Sequence, residues 1–313
     1  MKVIGLMITK DEEWIIESSL RVLSKFVDEI IILDDSSDMT VNKIRQLQID
    51  TDKIYLYFQR EFPELECYCD YRQKLLEIGR KHSGTHFVVF DADEMFPEYA
   101  VCDFRDDIKK LEPGVAYQYE VMDFYGSPFE YVPGGNIGPN LIDAVFCDDG
   151  EMQYDYLPIH EKRTPVKRYQ RHYGYPLLHY GYLSLIKMYR KRTYYKLMEY
   201  INGVSSVPAI NWKYRLWGLD RKIRQAPSGW YHDDVVEYYE LIQDNGEHFQ
   251  HKIEEIFKKY SGDENLSGID YWDTFSWYRL LKERVVDLLR NNDKKMLIKS
   301  VKDYIFLDVI KKW

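Results

Sequence analysis

The chain has 313 residues, 45% of them hydrophobic and 16% aromatic, with a formal net charge of −9. The length fits one large domain or one domain with an appendage, and the negative charge argues against a general nucleic-acid-binding protein. No stretch approaches the roughly 20 apolar residues that span a bilayer, and the N-terminal apolar run ends too early for a signal peptide. We therefore expect a soluble, cytoplasmic protein that contacts a membrane peripherally if at all.

The first hundred residues alternate between predicted strands and helices. Apolar runs predict strands at residues 2–9, 28–37, 52–59 and 85–93. Apolar residues at three- and four-residue spacing predict intervening helices at residues 10–26, from residue 40 onward, and at 67–82. This alternation predicts an α/β fold with a parallel sheet and right-handed crossovers.

Residues 113–180 show a β-like and less regular pattern. A loop rich in Gly and Pro lies among predicted strands at residues 114–126, 141–147 and 176–184. This region therefore predicts additional strands beside the parallel sheet.

The last part of the chain is predicted to be helical. A basic helix is expected at residues 184–201, and residues 202–209 have the small and turn-forming side chains of a boundary. Helical spacing dominates residues 210–313. We therefore predict a first domain at residues 1–200 and a helical region at 201–313.

The four cysteines are Cys67, Cys69, Cys102 and Cys147. They show neither a paired CxxC spacing nor the regular framework of a disulfide-rich protein. We expect all four to be reduced thiols, as in a cytosolic protein.

Polar side chains stand at the predicted carboxyl ends of three strands. These residues are Thr9, Asp34, Asp35, Asp91 and Asp93. Ligands of α/β sheets bind outside the carboxyl ends of the strands. This edge of the sheet is therefore the predicted ligand site.

The stretch FVVFDADEMFP, residues 87–97, places Asp91 and Asp93 directly after an apolar strand. Two carboxylates separated by one residue suit a hard divalent cation such as Mg²⁺ or Mn²⁺, which would also offset their mutual repulsion. The alternative is a solvated turn, or Asp93 as the N-cap of a helix.

Four segments in order carry a resemblance to a known family. They are GLMITKDEEWIIESSLRVL, VDEIIILDDSSDMTVNKI, YRQKLLEIG and FVVFDADEMFP. Together they resemble the inverting, nucleotide-sugar-dependent glycosyltransferases of family 2, over roughly the first 190 residues. The subgroup that reads DADE and later HE, as in lipopolysaccharide-core glucosyltransferases, is the most similar. The resemblance implies the GT-A fold, a Rossmann-like nucleotide-sugar-binding α/β sheet, here with a C-terminal helical extension.

The resemblance also implies which residues bind the nucleotide. Thr9 and Asp35 match positions that hold the nucleoside, Glu12 matches the acidic position after the first strand, and Arg72 matches a basic residue facing the nucleotide. An Asx turn or a helix N-cap remains the structural alternative for Asp35, with Asp34 or Ser37 able to take that role instead. A surface salt bridge, for example with Asp70, is the alternative for Arg72.

The metal and the diphosphate have implied partners as well. Asp91 would contact ribose or metal, Asp93 would bind Mn²⁺ or Mg²⁺, and His179 would complete the metal shell. Basic side chains of the following helix would neutralise the departing diphosphate; they are Lys187, Arg190 and Arg192. The solvated face of an amphipathic helix is the alternative for these three.

Glu161 of the sequence LPIHEKR is the candidate general base. An inverting transfer needs a carboxylate that takes the proton of the acceptor hydroxyl as the new C–O bond forms. His160–Glu161 matches the HE pair of the resembled family. Glu94 is the alternative base, and an ion pair with Lys162 or Arg163 is the structural alternative for Glu161.

The resemblance therefore implies a metal-dependent glycosyltransferase that moves a sugar from a nucleotide-diphosphate sugar, with UDP favoured, to a glycan or glycoconjugate acceptor. Two rival functions stay open. A sugar-phosphate nucleotidyltransferase would be expected to have a Gly-rich phosphate loop near the N-terminus, and GLMITKDEEW has no glycine cluster. A catalytically silent sugar- or protein-binding module would keep the fold without the reaction.

Overall fold

The structure is a computed structural model that describes residues 1–65, 67–133, 140–155, 162–214, 223–230, 232, 235, 247–263, 266 and 268–269. The strands are β1 (Val3–Thr9), β2 (Glu29–Asp34), β3 (Ile54–Phe58), β4 (His86–Val89), β5 (Glu94–Met95), β6 (Val115–Tyr125), β7 (Glu130–Pro133), β8 (Leu141–Cys147), β9 (Arg168–Arg171), β10 (Leu177–Tyr182) and β11 (Arg224–Gln225). The α-helices are α1 (Ile16–Leu23), α2 (Thr40–Asp50), α3 (Tyr68–Lys81), α4 (Val101–Ile108), α5 (Leu185–Ile201), α6 (Val207–Tyr214) and α7 (Glu247–Lys259).

The first half of the sheet is parallel, in the order β4-β1-β2-β3. Beyond β4 the sheet continues through antiparallel strands in the order β8-β6-β7-β11. The predicted fold class is therefore confirmed: a mixed α/β sheet, parallel through its N-terminal strands and flanked by helices.

Successive residues of β1 face opposite sides of the sheet. Val3 and Met7 pack into one hydrophobic cluster, whereas Ile4 and Leu6 pack into another. Residues of α1, α2 and α4 belong to the first cluster, and residues of α3 belong to the second. Because both faces are covered, the strand reads as one continuous apolar run.

Strand β10 reaches the carboxyl edge of the parallel strands through two pairings. It pairs in parallel with the second half of β6 and antiparallel with β5, which follows closely on β4. In this register His179 lies opposite Glu94 on one side and Asp123 on the other. The pairing therefore brings a distant segment of the chain to the DADE turn.

The first helix is shorter than its apolar spacing predicts. It begins at Ile16 rather than at residue 10. The backbone N–H groups of Asp11 and Glu12 donate instead to the side chains of Ser36 and Thr40, at 2.8 and 2.9 Å. The loop after β1 is therefore held by the loop after β2.

The strand predicted at residues 85–93 ends at Val89, and the chain turns into the short strand β5. The next α-helix begins at Val101. Asp93 therefore does not cap a helix, and the alternative of a helix N-cap at this residue is wrong.

The expectation of four reduced cysteines is wrong for two of them. Cys67 and Cys69 form a disulfide at the start of α3, with their Cα atoms 5.3 Å apart, while Cys102 and Cys147 are free thiols. Cys67 is the N-cap residue and has extended backbone (φ −124°, ψ 167°), and this departure from helical geometry lets its side chain meet that of Cys69. The spacing rules for CxxC motifs do not cover this case.

The chain divides into two compact units, Met1–Leu185 with Lys222–Asp244, and Ile186–Arg221 with Asn245–Trp313. The second unit has its own apolar cluster, formed by Leu197, Ile253, Leu266 and Ile269. The domain division at residue 200 stays a prediction. Among the described helices, none is both long and apolar enough to cross a lipid bilayer.

Three of the predicted C-terminal helices, at residues 234–243, 278–290 and 294–310, fall outside the described residues in whole or in nearly all of their length. The predicted helix at residues 251–260 corresponds to the end of α7.

Candidate functional site

The carboxyl ends of β1 and β2 meet in a buried hydrogen-bond network. Thr9 and Asp34 are partners in the sheet register, and the Thr9 hydroxyl donates to Asp34 Oδ2 at 3.0 Å. Asp34 also accepts from the backbone N–H of Ser36 at 3.0 Å and from its hydroxyl at 2.6 Å. The Asx-turn role that the sequence left open therefore belongs to Asp34.

Asp35 and Glu12 lie at the same edge but in different surroundings. The Asp35 side chain is 46% exposed and forms an ion pair with Lys10. The Glu12 carboxylate accepts a hydrogen bond from Trp14 Nε1 at 2.6 Å. Of these two predicted nucleotide-binding residues, Asp35 is the more exposed.

Arg72 approaches this edge from α3. The residue is 8% exposed, its guanidinium lies 3.7 Å from Asp91 Oδ1, and its Nε has no hydrogen-bond partner in the described part of the chain. The Asp70 carboxylate, the alternative partner, accepts from the backbone N–H of Cys67 at 3.0 Å. Arg72 therefore faces Asp91 with a buried donor still available to a ligand.

Residues 91–94 form a tight turn at the end of β4. The backbone N–H of Glu94 donates to the Asp91 carbonyl at 3.0 Å, and the backbone N–H of Asp91 donates to Glu94 Oε2 at 3.1 Å. The carbonyl of Asp93 accepts from the N–H of Tyr180 at 2.8 Å. Asp93 and Glu94 are buried by this arrangement.

Arg163 is the main counter-charge of the turn. Its guanidinium binds Asp91 Oδ2 at 2.8 Å and also pairs with Glu94 Oε2. Burial opposes the charge of Arg163, but Asp91 and Glu94 outweigh this cost, and the pKa of Arg163 is raised. Burial raises the pKa of Glu94, against the attraction of Arg163. One guanidinium thus compensates two carboxylates.

Asp93 faces His179, and Asp123 lies behind the imidazole. His179 Nε2 is 3.5 Å from Asp93 Oδ2, and His179 Nδ1 is 2.7 Å from Asp123 Oδ1. Burial opposes the charged imidazole, but Asp93 and Asp123 outweigh it and raise the pKa of His179 to about 10. A carboxylate behind a histidine fixes the ring and directs its other nitrogen, as behind metal-binding histidines.

Gly181 leaves space at this pair. A Cβ on residue 181 would lie 2.6 Å from both Asp93 Oδ2 and His179 Nε2. The missing side chain therefore leaves a small cradle next to one carboxylate oxygen and one imidazole nitrogen. Mn²⁺ accepts both kinds of ligand, and substrate phosphates and water can supply its remaining ligands. The residues present fit a divalent cation.

Asp91 is oriented differently from Asp93. Its carboxylate faces Arg163 and Arg72, and its side chain is 45% exposed. Within the described ranges, the one group of at least three potential metal-ligand atoms within 4.8 Å of one another is Cys67, Cys69 and Asp70. The structure thus brings together two of the three predicted metal residues, Asp93 and His179.

The predicted diphosphate-binding residues lie on α5. Lys187 and Arg192 are each 4% exposed, and Arg190 is partly buried. These residues belong to the second compact unit. The alternative of a solvated helix face is wrong for Lys187 and Arg192, because solvated side chains are not buried to this extent.

Glu161, the candidate general base, and His160 lie outside the described residues. Their neighbour Arg163 is described and pairs with the turn of residues 91–94. The alternative of an ion pair between Glu161 and Lys162 or Arg163 involves a residue outside the described part of the chain and stays a prediction.

Three residues of the candidate site have only weak signals in the sequence. Asp123 sits within the apolar strand β6, Arg163 follows the HE pair, and Gly181 interrupts the apolar run of β10. A charged residue in a buried strand and a glycine inside a strand are the available signals, and both are weak without a partner.

Comparisons with known proteins identify no family for this chain. No family model matches it, and no curated protein matches it. Solved structures of glucosyl-3-phosphoglycerate synthase from Mycobacterium tuberculosis overlap 40% of this chain at 22% identity. One, with Mn²⁺, UDP and glucosyl-3-phosphoglycerate, has a TM-score of 0.29, and one with Mn²⁺ and UDP-glucose has 0.28; the matches span 44% and 43% of those chains, less than half their length.

A provisionally named glucose-1-phosphate thymidylyltransferase from Bacillus anthracis, in complex with a sucrose, is 12% identical over 77% of this chain and 96% of that one, with a TM-score of 0.30. At these identities and TM-scores, the overlaps assign neither a reaction nor a ligand to this chain.

Proposed function

We propose that this protein is a metal-dependent inverting glycosyltransferase of the GT-A type. It transfers a sugar from a nucleotide-diphosphate sugar, with UDP favoured, to a hydroxyl of a glycan or glycoconjugate acceptor. The observation that carries the proposal is the Asp93–His179 pair, backed by Asp123 and left open by Gly181, at the carboxyl edge of a parallel sheet. The finer resemblance to lipopolysaccharide-core glucosyltransferases is part of the same proposal.

In this proposal the donor nucleotide binds along the edge formed by β1, β2 and β4. Thr9, Asp35 and Glu12 hold the nucleoside, with Asp35 reaching the surface at 46% exposure. Arg72 directs its buried guanidinium towards the nucleotide, next to Asp91, 3.7 Å away. The available Arg72 Nε supports this role, since a forked guanidinium matches base or phosphate oxygens.

Asp93 and His179 would hold Mn²⁺ or Mg²⁺, with Asp91 as the additional ligand or as the ribose contact. When bound, the cation supplies charge compensation for the departing nucleotide diphosphate. Lys187 and Arg190 are proposed to add positive charge for the same leaving group. Cation ligation by His179 requires the neutral imidazole, so the cation takes the place of the proton that Asp93 and Asp123 otherwise favour.

Glu161 is the proposed general base. It takes the proton of the acceptor hydroxyl as that oxygen bonds to the sugar and the diphosphate leaves from the opposite face. Arg163, two residues further along, is tied to Asp91 and Glu94. Glu94 is less suited, because it is buried and already paired with Arg163.

Thermal unfolding with nucleotide and metal tests the donor site. Wild type and Asp93→Ala are heated with UDP, GDP, dTDP or CDP, each with and without Mn²⁺. A ligand at a hundredfold its Kd stabilises the folded protein by about 2.7 kcal/mol, which corresponds to a midpoint shift of roughly 5–10 °C. We expect a shift with one nucleotide that needs Mn²⁺ and disappears in Asp93→Ala. No shift with any combination contradicts the proposal and favours a silent binding module.

Gly181→Ala tests whether the cation uses the cradle beside Asp93 and His179. The new methyl group would meet both side chains at 2.6 Å, so the Mn²⁺-dependent shift should be lost. Gly262→Ala is the matched control, because a Cβ there meets no atom within 4 Å. A retained Mn²⁺ response in Gly181→Ala would place the cation elsewhere.

Glu161→Gln separates chemistry from binding. We expect this variant to keep the nucleotide-dependent midpoint shift and to lose transfer of the sugar, or its hydrolysis from the donor, by at least about a hundredfold. If Glu94→Gln loses transfer to this extent while Glu161→Gln keeps full activity, Glu94 is the general base and Glu161 is not. Release of pyrophosphate from a nucleoside triphosphate and a sugar phosphate would identify a nucleotidyltransferase instead.

A further inference from the structure

The disulfide between Cys67 and Cys69 closes a loop with one intervening residue, Tyr68. A cross-link stabilises a protein mainly by removing freedom from the unfolded chain, and this gain grows with the length of the closed loop. A loop of this size gains little. The position of the bond therefore points to a chemical role more than to a stabilising one.

The two sulfur atoms lie at the N-terminus of a long helix. Cys67 precedes α3, its Sγ accepts from the backbone N–H of Asp70 at 3.4 Å, and Asp70 Oδ2 accepts from the backbone N–H of Cys67 at 3.0 Å. Because α3 has 14 residues, the partial positive charge of its N-terminus acts on this sulfur. Such a position favours the thiolate, the form that attacks and leaves in thiol–disulfide exchange.

The two sulfurs differ in their access to solvent. Cys67 is partly exposed and Tyr68 is 49% exposed, whereas Cys69 is 5% exposed. An external thiol therefore reaches Cys67 first, and Cys69 lies inside as the leaving sulfur. Cys147 has a different environment, because burial raises the pKa of its thiol and suppresses the thiolate.

We infer that Cys67 and Cys69 form a reversible thiol–disulfide exchange site whose reactants are external thiols and disulfides, and that its oxidation state controls Arg72. In reduction, an external thiolate attacks Cys67 Sγ and breaks the Sγ–Sγ bond, and Cys69 leaves as a thiolate that takes a proton from water. A second external thiolate attacks the mixed disulfide, which releases Cys67 and forms one external disulfide. Oxidation by an external disulfide is the reverse.

The control of Arg72 follows from the geometry of α3. Arg72 lies one helical turn after Cys69, and its guanidinium carbon is 5.9 Å from the Tyr68 ring. The disulfide fixes the residues on both sides of Tyr68, so reduction frees this ring and the N-cap of the helix. Arg72 also lies 3.7 Å from Asp91, and this second step rests on the proposed function.

Thiol trapping tests the exchange site directly. The full chain is equilibrated over a range of ratios of reduced to oxidised glutathione, quenched with acid, labelled with N-ethylmaleimide and analysed by mass spectrometry. As the proportion of oxidised glutathione rises, we expect labelling of Cys67 and Cys69 to disappear at the same ratio, because the disulfide forms. Excess reduced glutathione should restore both labels. Cys102→Ser is the matched control and should leave this midpoint unchanged, because Cys102 is a free, exposed thiol.

Three outcomes overturn the exchange site. They are full labelling at every ratio, a disulfide that excess reduced glutathione leaves intact, and zinc that accompanies the reduced chain and protects both thiols. The last would assign Cys67, Cys69 and Asp70 to a metal, as their ligand atoms lie within 4.8 Å of one another.

The Kd of UDP with Mn²⁺, measured on the oxidised and reduced forms, tests the control of Arg72. We expect at least a fivefold difference, about the lower limit of typical coupling between sites, with Cys67→Ser behaving as the reduced form. Equal Kd values overturn the control of Arg72. Absence of nucleotide binding in both forms overturns the proposed function and this control with it, while the trapping result stands by itself.

Discussion

Two neighbouring strand ends carry acidic residues and are compensated in different ways. At the end of β2, Asp34 is 1% exposed and accepts hydrogen bonds from the neutral groups of Thr9 and Ser36. At the end of β4, three carboxylates within four residues meet positively charged partners; these partners are Arg72, Arg163 and His179.

The difference separates the turn built on Asp34 from the proposed cation site. Neutral donors satisfy one carboxylate and leave no net positive charge for a ligand. Three carboxylates close together repel one another, and burying them requires cations. In the proposed function, a metal ion would replace the proton of His179, and a diphosphate would compensate the cation in turn. In the sequence, the ends of β2 and β4 show the same pattern, an apolar strand followed by Asp residues.

Arg163→Met should show the largest effect on stability. It leaves Glu94 buried without its counter-charge, and breaking a buried pair costs about 3–5 kcal/mol. Urea unfolding should show a lower midpoint with an unchanged slope. Arg168→Met is the control, because the Arg168–Glu112 pair is mostly exposed and worth less than about 1 kcal/mol. Equal losses in both variants would contradict the distinction between the two ends.

Asp34→Ala should reduce the free energy of unfolding by about 1–3 kcal/mol, because it leaves the buried hydroxyl of Thr9 and the partly buried donors of Ser36 without their acceptor. It should keep the Mn²⁺ response, since Asp34 belongs to the neutral end. Asp52→Ala, at an exposed position, is the control for stability. A variant that is stable yet unresponsive to Mn²⁺ would reverse the roles of the two strand ends.

Asp123→Asn should weaken Mn²⁺ binding 10- to 100-fold, the usual cost of altering the partner behind a metal-binding histidine. The reason is its 2.7 Å contact with His179 Nδ1, which orients Nε2 towards Asp93. Titration calorimetry of Mn²⁺ with UDP present measures the change. Unchanged affinity would show that His179 needs no orientation by Asp123.

Glu29→Gln should show the smallest effect, at the opposite edge of the sheet. Burial opposes ionisation of Glu29, but Lys2 and His82 outweigh it, and the pKa of Glu29 is lowered from its ordinary value of 4.5. The stabilisation is therefore present above pH 4.5 and is lost as the pH falls through the folded-state value. As the pH is lowered, the free energy of unfolding of the variant should fall less than that of the wild type, by a difference below about 1 kcal/mol. An identical pH dependence in the two proteins would contradict the pairing.

Much of the fold was predictable because its strands are largely apolar runs, fully buried in β1 and partly buried in β3 and β8. The predicted runs at residues 2–9 and 52–59 correspond to β1 and β3, and the stretch at 141–147 coincides with β8. The start of α1 was not predictable, because backbone donors of the preceding loop bind Ser36 and Thr40 rather than continuing the helix. Local spacing contains no information about that competition.

The acidic residues of the candidate site were predictable because they directly follow a strand. Their charged partners were not predictable, because these lie far away in the sequence. The pairing between His179 and Asp123 joins residues 56 apart, and that between Arg163 and Asp91 joins residues 72 apart. Residue type and spacing cannot specify which distant charge compensates which, because many arrangements satisfy the same composition. The register of β10 against β5 and β6 places His179 beside Asp123, whereas Arg163 reaches Asp91 from a segment outside the strands.

The sequence by itself determined the α/β class and the edge at which carboxylates collect, because apolar runs and strand-end acids are local features. Tertiary structure decided that Asp34 serves the turn, that Asp93 faces His179, and that Arg163 compensates Asp91 and Glu94. These roles depend on burial and on contacts between distant segments. The chemical role of each charge therefore depends on the groups that surround it in the fold, and strand pairing supplies one of these, His179 beside Asp123.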